Sequence, residues 1–73
     1  MNDIVTVDAR GLSCPQPAMM ARKAITAQDG GTIHVLVDAG APRDNVKRIA
    51  EMAGWNVEVE DLEDHEYRLV LSK

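Results

Sequence analysis

What this chain has little of narrows its chemistry first. Its 73 residues hold one cysteine, no phenylalanine, one tryptophan and one tyrosine. A lone cysteine, Cys14, makes no internal disulfide, and no Cys/His cluster has zinc spacing, so neither a covalent nor a metal staple is expected. That cysteine usage fits the reducing cytoplasm. With so few aromatic rings there is no platform on which successive bases could stack. Basic residues are outnumbered, 8 against 12 acidic, for a formal net charge of -4. Phosphate backbones call for clustered cations, so direct nucleic-acid binding is not expected as the main task. No apolar run approaches the roughly 20 residues that span a bilayer. Met1-Asn2-Asp3-Ile4 has neither the basic nor the apolar region of a signal peptide. No membrane partner is expected.

What is present is an ordinary globular composition, 45% hydrophobic and 27% charged, in a length that suits one domain over residues 1–73. A domain this small buries only about 60% of its unfolded surface, which leaves little room for a deep cofactor cavity. The site is expected on the surface of a compact scaffold.

Four β-type runs and two helical runs can be read. Ile4-Val5-Thr6-Val7 is β-branched throughout and predicts a strand. From Pro15 to about Gln28, Met20, Ala21, Ala24 and Ile25 recur at helical spacing, and Asp29-Gly30-Gly31 ends the run. Thr32 to Val37 is nearly all apolar and predicts a central strand. Pro42 suits a first helical position, Val46, Ile49, Ala50 and Ala53 form one stripe, and Gly54 stops the helix. Trp55 to Glu60 alternates at Val57 and Val59 as a half-buried strand does. Leu62-Glu63-Asp64 predicts a hairpin turn, and Tyr67, Leu69 and Leu71 alternate in a last strand.

The order βαβαββ implies an α+β two-layer sandwich. Three strands run one way and one runs against them in a mixed four-stranded sheet. Right-handed crossovers put both helices on one face. Loops 8–14 and 38–43 then follow the C-terminal ends of parallel strands and share one edge, where α/β ligand sites collect. That brings Cys14 into the neighbourhood of Asp38, Arg43 and Asp44.

Cys14-Pro15-Gln16-Pro17 opens a helix, and prolines there cost little because the first N–H groups have no intrahelical partner. Either Cys14 is the N-cap with Pro15 at the first helical position, or Ser13 caps and Gln16 reaches back as a capping box. Both put sulfur at the positive end of the helix dipole, which favours the thiolate, the nucleophilic form. Arg10 adds to this if it folds toward the sulfur. A resolving cysteine is missing, since position 17 is proline. His34 and His65 lie in or beside strands, with no sign of a base for Cys14. These residue types suit a thiol loaded and unloaded by partners.

The run Asp8-Ala9-Arg10-Gly11-Leu12-Ser13-Cys14-Pro15-Gln16-Pro17 resembles the D-x-x-G-x-x-C-P-x-P signature of the TusA/SirA-like sulfur-carrier family, and the likeness extends along the whole chain. Asp38 with the Arg43-Asp44 pair, and Tyr67-Arg68, also resemble it. The resemblance implies the βαβαββ fold and a small carrier with no self-contained active site. It implies a persulfide held covalently on Cys14, with no other cofactor. The implied donor is a cysteine desulfurase or rhodanese-like protein, and the implied acceptor a DsrE-like or other protein. The implied destination is tRNA thiolation, cofactor synthesis or sulfur oxidation. Ser13 stands where tRNA-thiolating members often carry a basic residue. The Asp-Ala-Arg-Gly-Leu run and Asp44-Asn45-Val46 look closer to the YedF-like branch, which has been linked to selenium metabolism.

Asp8, Arg10 and Gly11 are expected to shape the loop, and Pro15 and Pro17 the helix start. Arg43 is a candidate to hold a persulfide or touch a partner. Asp38 and Asp44 are candidates for the same contacts, or to cap the second helix or order its loop. Met19 lies off the buried stripe and is a candidate docking contact. Arg22 and Lys23 are solvated or steer a partner. The acids from Glu58 to Glu66 protect an edge, while Trp55 and Tyr67 anchor the core. Two rival functions remain at this level, a regulatory or binding module that docks through the Cys14 loop and a redox-sensing thiol.

Overall fold

A computed structural model describes residues 4–13, 15–28 and 30–73. The elements are β1 (Ile4–Asp8), α1 (Gln16–Thr26), β2 (Thr32–Asp38), α2 (Ala41–Met52), β3 (Asn56–Asp61) and β4 (Glu66–Ser72). They form the expected α+β arrangement, two helices against one mixed four-stranded sheet.

The sheet order is β1-β2-β4-β3. β1 pairs with β2 in parallel, and β4 lies antiparallel to both β2 and β3. Three strands thus share a direction, as the two crossovers require. The last strand, however, inserts between β2 and β3, so among the described residues only β1 and β2 form a hydrogen-bonded parallel pair. β2 and β4 are the two interior strands, and both alternate. Ile33, Val35 and Val37 of β2 and Leu69 and Leu71 of β4 are buried on the helix side. Their neighbours His34, Leu36, Arg68 and Val70 are half-buried on the open side.

The helices close that core with short stripes. α1 contributes Pro17, Ala21 and Ile25, and α2 contributes Val46 and Ala50. Small alanines let the helices approach the sheet closely while the branched residues fill the gap. Trp55 is buried just ahead of β3 and Met20 packs at the core's margin. Two expectations change. Ala53 follows the last helical turn and is exposed, and Val59 is exposed because the edge strand β3 runs beyond the cover of α2.

The hairpin also differs. Its turn runs one residue longer than expected, and Asp64 and His65 both adopt left-handed backbone, with φ of 58° and 61°. That geometry suits the right-handed twist of the strands it joins, at roughly 1–2 kcal/mol per residue for a side chain forced there. The His65 carbonyl accepts the Ala39 N–H at 2.9 Å, which ties the hairpin to the loop after β2. The hairpin turn therefore belongs to the same edge as the two loops.

Candidate functional site

The C-terminal ends of β1 and β2 deliver two loops to one edge, and a carboxylate joins them. Asp38 closes β2 and accepts the Gly11 N–H through Oδ2 at 2.7 Å. Gly11 sits at φ +76°, a conformation that suits glycine, and an added Cβ would meet nothing within 4 Å. Backbone conformation, not crowding, therefore selects glycine there.

A second clasp holds the loop from its other side. Arg10 grips Asp8 in a fork, Nε to Oδ1 and Nη2 to Oδ2, both at 2.9 Å. The Arg10 backbone N–H also donates to Asp8 Oδ1, at 3.2 Å. The remaining arm, Nη1, reaches Glu66 Oε1 on β4 at 3.2 Å. Hydrogen bonding to Arg10 lowers the Asp8 carboxyl from 3.8 to about 2, and the two carboxylates raise Arg10 above its ordinary value. Asp8 and Arg10 are 53% and 41% exposed, so solvent screens their attraction and the fork acts mainly through geometry. Its guanidinium is committed to carboxylates.

The start of α1 departs from the expected Ser13–Gln16 capping box. Pro15 occupies the N-cap, and among the described residues no side chain caps the helix. Instead the Gln16 N–H donates to the Ser13 carbonyl at 3.0 Å, and the Met19 N–H to the Pro15 carbonyl at 3.0 Å. Pro17 has no N–H to satisfy and is fully buried. Backbone turns and a proline thus perform the work expected of a Ser13–Gln16 box. Cys14 itself lies outside the described residues, so the alternative that made it the cap is not described.

The α2 start corrects another expectation. Gly40 is its N-cap, at φ 96°, and neither Asp38 nor Asp44 caps it. Asp38 is drawn instead to the other loop. Asp44 lies in the first turn and accepts from Arg43 Nε at 3.2 Å. Arg43 also stacks over the Tyr67 ring, 4.7 Å from its centroid. The Asp44 hydrogen bond raises Arg43 above its ordinary value, chiefly.

The edge thus gathers Asp8, Arg10, Gly11 and Asp38 into one cluster, and Arg43 and Asp44 into another. Met19 belongs to neither. It is 62% exposed and lines a shallow apolar groove of about 360 Å³ with Leu12, Gln16, Met20 and Lys23. Leu12 and Gln16 each stand two positions from Cys14 in the sequence. Sequence reasoning missed Glu66 as the second partner of Arg10 and Tyr67 as the ring under Arg43. Arg10 and Glu66 are 56 residues apart, and only their placement at one edge pairs them. Among the described residues, no three His, Cys, Asp or Glu side chains gather as a metal site, and no helix is long and apolar enough to cross a membrane.

Comparison with known proteins agrees with this architecture. The crystal structure of a SirA-like protein from Desulfitobacterium hafniense matches with a TM-score of 0.87 and 32% sequence identity, over 96% of each chain. A family profile described as sulfurtransferase TusA matches residues 5–73. With the D-x-x-G-x-x-C-P-x-P run inside the matched span, this chain belongs to the TusA sulfurtransferase family.

Proposed function

We propose that this protein is a sulfur carrier in which Cys14 accepts sulfane sulfur as a persulfide and hands it to a partner's thiol. The observation that carries the reading is the family match, which spans the cysteine motif and the whole loop edge. The pinned loop supports it. Asp38 and Arg10 hold residues 10 and 11 in place, and Pro15 and Pro17 stiffen the chain on the far side of the cysteine.

The chemistry balances without an external oxidant. In loading, the Cys14 thiolate attacks the outer sulfur of a donor persulfide. A new S–S bond forms on Cys14, the donor's S–S bond breaks, and the donor cysteine leaves as thiolate. In unloading, an acceptor thiolate attacks the outer sulfur on Cys14, and Cys14 leaves as thiolate. Each step is an exchange of the kind that interchanges disulfides. The acid-free first turn of α1 suits an anionic sulfur at both stages. A cysteine desulfurase or rhodanese-like donor and a DsrE-like or other acceptor fit these steps. The acceptor then decides whether the sulfur goes to tRNA, a cofactor or oxidation.

Intact-mass spectrometry after incubation with a cysteine desulfurase and cysteine tests the reading. The wild-type chain is expected to gain the mass of one sulfur, which a reductant removes, while Cys14→Ser gains nothing. An unmodified wild type, or the same adduct on Cys14→Ser, contradicts it. Peroxide-driven sulfenic acid in place of the persulfide would favour the redox-sensor reading. Full activity of Cys14→Ala in cells would favour a docking module.

A further inference from the structure

The two edge strands of the sheet are treated differently. β3 carries Glu58, Glu60 and Asp61 among its six residues, and charge of that density discourages further pairing. β1 reads Ile-Val-Thr-Val-Asp, and its one charge, Asp8, is gripped by Arg10. No described residue pairs with the outer side of β1. The Ala9 N–H donates to the Leu36 carbonyl, which fixes the alternation. Val5, Val7 and Ala9 turn their backbone groups toward β2, so those of Ile4, Thr6 and Asp8 point outward. Beside this edge a groove of about 430 Å³ runs along the β1–α1 seam, lined by Val7, Asp8, Met20, Lys23 and Ala24 among others. It shares Met20 and Lys23 with the groove at Leu12 and Gln16. The two therefore adjoin at these side chains, between the open edge and the residues that flank Cys14 in sequence. Lys23 has no ion-pair partner among the described residues.

We propose that the outer edge of β1 receives an extended segment of the sulfur acceptor, added to the sheet as a fifth strand, with apolar side chains over the β1–α1 seam and a carboxylate on Lys23. The proposal rests on the sulfur-carrier reading above and names the form of its partner. An acceptor cysteine placed where this segment passes Asp8 leaves the strand at the loop edge. Main-chain hydrogen bonds supply the affinity, and the seam with Lys23 supplies the choice of sequence. Strand addition leaves the loop clasps of Asp8, Arg10 and Asp38 untouched.

The test uses the whole chain and a cysteine-free peptide that alternates valine with threonine and carries one glutamate. Because no sulfur moves, its outcome is independent of whether Cys14 is ever persulfidated. Amide resonances of Ile4, Thr6 and Asp8 are expected to shift at millimolar peptide. Thr6→Pro removes an outward N–H while sparing every bond to β2, and is expected to weaken binding about tenfold. Thr6→Val, which keeps the N–H, is expected to bind as wild type. Methylating alternate backbone nitrogens of the peptide provides the same test without altering the protein, and is expected to abolish the shifts. Unmoved β1 amides, or equal binding by Thr6→Pro and the methylated peptide, overturn the proposal. A wild-type dimer that Thr6→Pro converts to monomers, with no response to peptide, overturns it in favour of a second copy.

Discussion

Both helices begin at the same edge of the sheet, each with a proline in its first turn and, among the described residues, without a side-chain cap, yet their charges differ. The first turn of α2 contains Asp44. The first turn of α1 contains no acid. An acid there meets the partial positive charge of the helix end, worth about 0.3–1 kcal/mol at an exposed site. α2 is thus supplied from its own sequence, and α1 is left to be met by something else. The candidate is the sulfur of Cys14, one residue ahead of the Pro15 N-cap in the chain. The loops leading in differ as well. The 9–13 loop is held by Asp38 and by the Arg10 fork, whereas α2 is entered directly through Gly40.

Breaking the held loop is expected to give the largest effect. Gly11→Val forces a β-branched residue into a left-handed conformation, at roughly 1–2 kcal/mol. For a domain this small that lowers Tm by about 4–16 °C, measurable by thermal melting, and sulfur loading should slow with it. Asp38→Ala removes the acceptor of the Gly11 N–H and is expected to cost about 1 kcal/mol. The same variant should speed amide exchange at Gly11 and leave the α2 amides as they are. Accelerated exchange throughout α2 would show that Asp38 serves the second helix after all.

The Arg10 fork makes a smaller, pH-dependent contribution. The Asp8 carboxyl is lowered from 3.8 to about 2 by its hydrogen bonds to Arg10. A lowered carboxylate stabilises the fold fully above its ordinary value, and that contribution shrinks as pH falls and is gone once pH passes below the lowered one. An NMR titration of Asp8 should therefore give a midpoint of about 2 in the wild type and a higher one in Arg10→Ala, still below 3.8 because the backbone N–H of residue 10 continues to donate to Asp8. Identical midpoints would dissolve the fork.

Local patterns made much of this molecule legible before any coordinates. The nearly unbroken apolar run of Thr32–Val37 marks a central strand, and the alternation in Tyr67–Leu71 marks a strand with one buried face, because burial on one face repeats every second residue. The glycine and proline punctuation sets the helix ends within a few residues. Which side of β3 the last strand takes is not written locally, since a hairpin permits either. The site was legible as a motif, but its partnerships were not. Asp38 is 27 residues from Gly11, and Glu66 is 56 from Arg10. Ser13 followed three residues later by Gln16 has the spacing of a capping box. The Gln16 N–H that the Ser13 side chain would serve bonds the Ser13 backbone carbonyl instead, so the pattern is present without its side-chain bonds.

The uncharged start of α1 is expected to favour a sulfur anion at Cys14, and alkylation of that thiol across pH reads this preference. The predicted midpoint in the wild type lies below about 8.5, where an unperturbed thiol ionises. Gln16→Glu places an acid in the empty first turn and should raise it by about 0.2–0.7 of a pH unit. Asp44→Asn, at the other helix, should leave it unmoved. A wild-type midpoint at or above the unperturbed value, indifferent to Gln16→Glu, would contradict that preference.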